Sequence, residues 1–260
     1  MLTARRVGVT SLPRHDMNAT GTYYSLIAMD IERYSSRSNL RQRLLRQELH
    51  KVLNSTLGTL GLSFESTPKS DRADGYLLAI PTTTPRIAIA QYFVEGLRAA
   101  LIQQAGPQEV QMRLRVALHS GEVDPDGGAL VGSEANYACN LVELPTLRKV
   151  LAASTQASIA LAASDYWYKS VVAANRETLK ASEYGQLQFR DKCGQLDRAW
   201  LHVSGYVEPP GLDADAEDDS QRQKPSPPPS RIAFHGAVTT NNVIAGDQHN
   251  YGVGKTWRND

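Results

Sequence analysis

The sequence predicts an α+β fold in which a mixed β-sheet is covered by helices, followed by a disordered linker and a short β-prone motif. Short apolar runs without helical periodicity alternate with longer amphipathic stretches, as expected for strands and helices that share one core. After about residue 205, proline and acidic residues replace the apolar periodicity. The predicted organisation is a leader (1–22), a globular domain (23–205), a linker (206–230) and a terminal motif (231–254).

The composition limits the classes of function. With 260 residues, 41% hydrophobic and 21% charged, the chain can bury a sizeable core. A formal net charge of +1 gives no reason to expect nucleic acid or an anionic membrane as a partner. Cys139 and Cys193 lack metal-type spacing, which favours a reduced, cytoplasmic setting. No apolar run has the length of a membrane span.

The predicted elements of the first half begin with a strand at Ser25–Ile31, which is an apolar run. A polar turn and an amphipathic helix follow. We expect one strand around Phe64 and another at Tyr76–Ile80, joined by a polar loop over residues 68–73, and then a second helix over about 86–104. The apolar stripe of the first helix comprises Leu45, Leu49, Val52, Leu53, Leu57 and Leu60.

Residues 112–118 alternate between apolar residues and arginines. This pattern predicts a half-buried strand, with Arg113 and Arg115 on its solvated face. His119, at the end of this strand, is expected to pack or to form a hydrogen bond rather than to take part in catalysis.

The predicted second half continues with a turn at Asp124–Gly128, which is rich in glycine, proline and aspartate. A third helix begins near Gly132 and is interrupted at Pro145. The remaining predicted elements are a strand at 158–163, a helical segment at 165–172, and strands at 186–190 and 198–203.

Two aspartates stand beside predicted core strands. Asp30 lies within the first apolar run, and Asp74 directly precedes the run that begins at Tyr76. A carboxylate in such a position is costly unless a cation compensates its charge. Asp30 alone is consistent with a strand-end cap or with an ion pair to Arg33. Two carboxylates delivered by two strands are also able to hold divalent metal ions for phosphate chemistry.

Four ordered landmarks share a pattern with a known family. They are Met29-Asp30-Ile31 with Tyr34-Ser35, then Ala73-Asp74-Gly75, then Leu114–Val123 with its Gly121-Glu122, and finally Gly132 with Asn136 and Ala138. Over roughly residues 22–172 this pattern resembles the catalytic domain of class III nucleotide cyclases, the adenylate and guanylate cyclases. The resemblance implies a cyclase-type mixed sheet covered by helices.

The resemblance also implies a site and an assembly. It assigns a pair of Mg²⁺ or Mn²⁺ ions to Asp30, Ile31 and Asp74, and a nucleoside triphosphate as the ligand. Two metal ions stabilise the developing charge while the ribose 3′-hydroxyl attacks the α-phosphate. In the family, the metal carboxylates come from one chain and the ribose-orienting asparagine, matched here by Asn136, comes from the other. A homodimer is therefore expected.

The chain departs from the family on the partner side of the site. Where the family has an arginine that meets transition-state charge, this chain has Asn140, and a neutral amide cannot replace a guanidinium fork on a phosphoryl oxygen. By analogy with arginine fingers, this loss costs roughly 10³-fold or more in rate. The base-reading lysine position is Ser70, with Lys69 and Arg72 close by, and the second base-selecting position falls on Ala129 or Leu130.

The terminal motif has a strand-like pattern with glycine and amide residues between its apolar positions. Short segments with high β-propensity, low charge and amide ladders are typical of cross-β assemblies. The motif resembles bacterial amyloid-signalling motifs, which are similar to RHIM and HET-s motifs, and this implies a receptor that carries a matching motif. An isolated hairpin or a disordered tail is the alternative. The residues concerned are Ile232, Phe234, Val238, Asn242, Ile244, Gly246 and Asn250.

Three functions remain open from the sequence. The first is a signalling protein, plausibly in bacterial immunity, whose degenerate cyclase-homology domain binds metal and nucleotide with impaired cyclisation. The second is an active nucleotide cyclase. The third is a non-catalytic dimerisation scaffold that presents the tail at high local concentration. The retention of Asp30 and Asp74 favours the first two, and Asn140 favours the first over the second.

Overall fold

The computed structural model describes residues 21–104 and 112–212. The terminal motif, almost all of the predicted leader and most of the predicted linker lie outside these residues. Within them, eight strands form a sheet in the order β2-β3-β1-β4-β6-β8-β7, with β5 paired to β4. The strands are β1 (Thr22–Ile31), β2 (Lys69–Arg72), β3 (Gly75–Pro81), β4 (Leu114–Asp126), β5 (Ala129–Val131), β6 (Ile159–Ser164), β7 (Gly185–Arg190) and β8 (Leu196–Val203).

The strand pairing is mostly antiparallel. Only β4 and β6 run parallel among the described pairs. Helices cover both faces of the sheet, which confirms the predicted α+β class with a mixed sheet. The helices are α1 (Asn39–Gly58), α2 (Arg86–Ala88), α3 (Val94–Gln104), α4 (Ser133–Val142), α5 (Pro145–Ala153) and α6 (Asp165–Trp167), with π-helical turns at Ile89–Phe93 and Tyr168–Val172.

Two apolar layers hold the helices against the sheet. On one face, the leucine stripe of α1 packs with α3 and the π-helical turns against β1, β3 and β4. On the other face, α4 and α5 pack against the alternate residues of the same strands. Ser38 caps the N-terminus of α1, because its side chain accepts a hydrogen bond from the Arg41 backbone N–H. Pro145 begins α5, where its missing N–H has no cost.

The predicted strand around Phe64 is wrong. Residues 64–67 form turns, and the strand beside β3 is instead β2, inside the predicted polar loop. The edge position of β2 explains the error. An edge strand pairs with a neighbour on one side only and stays partly exposed, so its sequence needs no apolar alternation. Phe64 itself is buried, since it packs edge-on against Tyr76.

The prediction that Arg113 and Arg115 face solvent is also wrong. The side chain of Arg115 is only 10% exposed and that of Arg113 only 17%. Strand β4 lies between β1 and β6 and is covered on both faces. The alternating pattern therefore reflects arginines with fixed partners and not a solvated face.

Candidate functional site

The two predicted metal carboxylates lie at the same end of the sheet. Asp30 is opposite Gly75 in the β1–β3 register, and the Ile31 N–H donates to the Asp74 carbonyl at 2.9 Å. Gly75 permits this close approach, because a Cβ at this position would collide with the Met29 carbonyl. Residues separated by more than forty positions in the chain are therefore neighbours.

Asp30 forms a buried ion pair that the sequence analysis did not foresee. Arg115 lies directly opposite Asp30 in the β1–β4 register. Its Nε and Nη2 donate to the two carboxylate oxygens of Asp30, each at 2.7 Å. The compensating cation is thus Arg115 and not Arg33. Burial raises the pKa of Asp30, and Arg115 offsets this only in part.

A pocket of about 340 Å³ opens beside this pair. Its lining carries the carboxylates of Glu32 and Asp74 and the guanidinium groups of Arg33, Arg115 and Arg148. Arg148 favours the ionised form of Asp30 and so lowers its pKa. The pocket thus combines carboxylates with three strong cations. Its other lining residues are Ile31, Tyr34, Ser35 and Ala152.

The donor set of this pocket suits magnesium only in company with a ligand. Among the described residues, no group of three His, Cys, Asp or Glu side chains is placed to hold a metal ion. Mg²⁺ is usually bound through one or two carboxylates together with waters and substrate phosphates. Asp30 and Asp74 supply that minimum, although a metal ion would have to compete with Arg115 for Asp30. The residues therefore fit a metal ion that arrives with a polyphosphate.

The positions predicted to read the base lie close together on β2 and β5. The Leu130 N–H donates to Ser70 Oγ at 2.6 Å, although the two residues are 60 positions apart. Ala129 and Lys69 line one cleft of about 470 Å³. The fold thus gathers Lys69, Ser70, Ala129 and Leu130 around β2 and β5.

Most polar groups at these positions already have partners. The Lys69 ammonium donates to the carbonyls of Phe64, Glu65 and Thr67 at 2.7, 3.3 and 3.3 Å. Because an ammonium has three protons, Lys69 has none left for a base. Arg72 donates to Glu143 at 2.7 Å. In this arrangement Lys69 stabilises the turn at residues 64–67, and Arg72 stabilises the C-terminal end of α4. Neither side chain is placed to bind a ligand.

Asn136 and Asn140 lie one turn apart on α4 and outside the carboxylate pocket. Asn136 is exposed. Asn140 lines a separate cavity of about 200 Å³ that is also bordered by Phe189 and Lys192. Neither asparagine is among the residues that line the pocket with Asp74. A single chain therefore does not bring the two predicted halves of the site together.

A second polar cluster surrounds His119. Its Nε2 lies 2.6 Å from a Glu134 oxygen, and its Nδ1 lies 2.9 Å from Ser164 Oγ. The ring also contacts Tyr137, whose hydroxyl donates to Asp197 at 2.6 Å. Burial lowers the pKa of His119, while Glu134 raises it in part. His119 thus has a hydrogen-bond partner on each ring nitrogen.

Sequence reasoning missed Arg115, Arg148 and Glu134. For Arg115 a sign was present, because a guanidinium inside an apolar strand requires a buried acid nearby. Arg148 and Glu134 carried no comparable sign, since exposed faces of helices are commonly charged. Only the packing of α5 and α4 on the sheet brings them to a pocket or to His119.

No family model matches this sequence, and no curated protein matches it. Among solved structures, the chain is similar to an adenylate/guanylate cyclase/hydrolase from Silicibacter pomeroyi, with 15% identity over 70% of this chain and 96% of that chain and a TM-score of 0.48. It is also similar to the non-canonical dimeric guanylyl cyclase domain of the RhoGC fusion protein from Blastocladiella emersonii, with 16% identity, 72% and 96% coverage and a TM-score of 0.46. The guanylyl cyclase Cya2 gives 16% identity, 74% and 98% coverage and a TM-score of 0.44. At these identities and TM-scores, the likenesses establish no shared activity.

No helix within residues 21–104 and 112–212 is both long and apolar enough to span a membrane.

Proposed function

We propose that this chain is a signalling protein whose globular part is a degenerate class III nucleotide cyclase-homology domain. The main support is the placement of Asp30 and Asp74 at one end of neighbouring strands, beside a pocket lined by Arg115 and Arg148. Carboxylates next to guanidinium groups suit a nucleoside triphosphate that carries a divalent cation. The ordered cyclase-like landmarks of the sequence support the same assignment.

Each residue of the pocket has a distinct part in this proposal. Asp30 and Asp74 hold Mg²⁺ or Mn²⁺, with Ile31 contributing backbone at the same point. Bound there, the metal would supply charge stabilisation at the α-phosphate. Arg148 has no carboxylate partner among the described residues and lines the pocket, where it would bind the phosphate chain. Arg115, bonded to Asp30 in this structure, would turn towards the phosphates on nucleotide binding.

The ribose contact of Asn136 comes from a second chain in this proposal. Asn136 is exposed on α4 and does not line the carboxylate pocket of its own chain. Head-to-tail pairing of two chains would bring the α4 of one to the pocket of the other. Sedimentation with nucleotide and Mn²⁺ should therefore show a homodimer, and a monomer at concentrations well above micromolar would contradict this part.

Cyclisation is impaired because the position of the transition-state arginine is Asn140. An amide carries no charge and donates through one nitrogen only, so it cannot form the two parallel bonds of a guanidinium. The Lys69 ammonium and one Arg72 nitrogen are bonded within the chain, so base selection is weak as well. A domain that binds nucleotide and turns it over slowly, if at all, would act as a nucleotide-dependent switch.

The terminal motif completes the proposed signalling role. Residues 231–254, outside the described residues, would join the domain to a receptor with a matching motif or to other copies of the chain. A tether of about twenty-five residues allows the domains to stay outside a fibril core. The proposed setting is bacterial immune signalling.

The decisive experiment combines binding with product analysis. Purified protein is mixed with each of the four ribonucleoside triphosphates and Mn²⁺, binding is measured by calorimetry, and cyclic products are sought by mass spectrometry. Binding without substantial product supports the degenerate domain, and rapid product formation supports the active cyclase. Binding should be lost in Asp74→Asn but kept in Glu177→Gln, which removes an exposed carboxylate elsewhere. If no nucleotide binds, the proposed nucleotide site is refuted, and the dimerisation scaffold is the function that remains.

A further inference from the structure

A second cleft lies at the opposite end of the central strands from Asp30 and Asp74. It has a volume of about 710 Å³. In the β1–β4 register, Ser120 of this cleft pairs with Ser25, whereas Arg115 pairs with Asp30. The five residues from Arg115 to Ser120 correspond to about 17 Å along a strand. The cleft is therefore distinct from the carboxylate pocket.

One wall of the cleft is an open strand edge. Strand β4 pairs with β1 as far as Val123, but on its other side it pairs with β6 only as far as Leu118. Strand β6 ends at Ser164, and α6 begins at the next residue, Asp165. Within residues 21–104 and 112–212, no strand pairs with His119–Val123 on that side. Such an edge presents backbone carbonyls and N–H groups that no neighbouring strand pairs, and Glu122 at its middle is exposed.

A buried hydroxyl in this wall lacks a partner. Ser120 is 4% exposed, and its Oγ has no hydrogen-bond partner in the part of the chain that the structure describes. Ser120 and the Tyr23 hydroxyl are close enough for Ser120 to lower the pKa of Tyr23, but they do not meet the geometry of a hydrogen bond. A buried unpaired polar group is unfavourable and calls for a missing partner.

The charge of the cleft selects the class of that partner. Its lining includes Glu122, Asp124 and Glu134 and no lysine or arginine. The ring of His119, also in the lining, is bonded on both nitrogens and burial lowers its pKa. Phosphates and other anions are therefore disfavoured, and a cation with several N–H donors is favoured.

The spacing of the carboxylates argues for an extended cation. Among the described residues no three acidic or histidine side chains converge to hold a metal ion, so a compact divalent ion has no ready site. The rim also carries the phenol rings of Tyr23 and Tyr166. The Arg86 guanidinium lies 5.7 Å from the Tyr166 ring centroid, so Tyr23 is the ring left to attract an alkylammonium group. Arg86 donates to the Tyr166 hydroxyl at 3.3 Å from outside this lining.

We propose that this cleft binds a linear polyamine. Its ammonium groups lie along the open edge of β4 and pair with Glu122, Asp124 and Glu134, while one N–H donates to Ser120 Oγ. The polyamine chain lies against the phenol ring of Tyr23. This site is separate from the proposed nucleotide site and does not depend on it.

Calorimetry of the full chain with spermidine, without nucleotide, tests the proposal. Saturable binding of spermidine is expected, with weaker binding of putrescine because it has fewer ammonium groups. The double variant Glu122→Gln/Asp124→Asn should bind spermidine at least about tenfold more weakly, since two charge-assisted hydrogen bonds are lost. The matched double control Glu177→Gln/Glu208→Gln, which removes two exposed carboxylates elsewhere, should bind like the wild type.

Ser120→Ala provides a variant that should keep the fold. Removal of an unpaired buried hydroxyl should leave the melting temperature unchanged or raise it, yet spermidine should bind severalfold more weakly. Absence of spermidine binding at millimolar concentration would overturn the proposal. Equal weakening in the control double variant would also overturn it, because it would show attraction to overall charge rather than to this cleft.

Discussion

The buried pair of Asp30 and Arg115 gives the sharpest test of the structure. Arg115→Met keeps an unbranched stem but removes the guanidinium, and Asp30→Asn removes the charge with little change in shape. The two side chains are only 5% and 10% exposed, so each single change leaves a charge in the protein interior. Removal of one partner from a buried pair costs about 3–5 kcal/mol.

The double variant distinguishes loss of the ion pair from independent destabilisation at the two positions. In Asp30→Asn/Arg115→Met no unpaired charge remains, and replacement of a buried pair by neutral groups is often tolerated. Independent sites would instead give the sum of the two single losses, about 6–10 kcal/mol. We expect the double variant to lose about as much as one single variant or less, which corresponds to a coupling of several kcal/mol.

Urea unfolding followed by circular dichroism measures these free energies. The surface pair of Lys180 and Glu183 is the control, because Lys180 is 78% exposed and exposed pairs contribute only about 0–1 kcal/mol. Lys180→Met should therefore change the unfolding free energy little. Strict additivity of the two buried variants, or single losses as small as that of Lys180→Met, would refute the pairing.

Three other outcomes are expected. Burial lowers the pKa of His119 below its usual 6.5, so the folded state binds this proton less tightly than the unfolded state does. The stability that neutral His119 confers is present above the usual pKa and is lost as the pH falls below it. In urea titrations at about pH 8 and about pH 5, His119→Gln should therefore lose less stability on acidification than the wild type. An equal loss in the two proteins would contradict this. Gly75→Ala should destabilise by about 1–3 kcal/mol because its Cβ meets the Met29 carbonyl, whereas Gly58→Ala, with open space around it, should be neutral or stabilising in the same denaturation assay. A peptide of residues 231–252 should form thioflavin-positive fibres, and Val238→Pro should abolish them because proline removes a ladder donor; fibres that persist in the proline variant would contradict this.

The sequence predicted most of the fold because its core elements have strong periodicity. Leu45, Leu49, Leu53 and Leu57 of α1 recur at helical spacing and are buried, and β1 and β3 contain the apolar runs Leu26–Met29 and Tyr76–Ile80. Strand β2 could not be found in this way, because its residues are Lys-Ser-Asp-Arg. Such a strand forms through its pairing with β3, and that pairing depends on tertiary structure and not on local pattern.

The arrangement of the candidate site could be predicted only in part, for a similar reason. Asp30 and Asp74 could be identified because carboxylates beside apolar runs are conspicuous. Arg115 was assigned to solvent because alternation alone cannot distinguish a solvated face from one buried against a second layer. The distinction required the β1–β4 register, which places Arg115 opposite Asp30.

The pairing of Asp30 with Arg115 also bears on how metal and nucleotide would bind. A metal ion alone would have to separate a buried guanidinium from its carboxylate and leave that guanidinium without a partner, which is unfavourable. A triphosphate removes this obstacle, because its oxygens offer Arg115 a new anionic partner next to Arg148. Metal and nucleotide should therefore bind together more tightly than either does alone, and this coupling follows from a single arginine at the centre of the sheet.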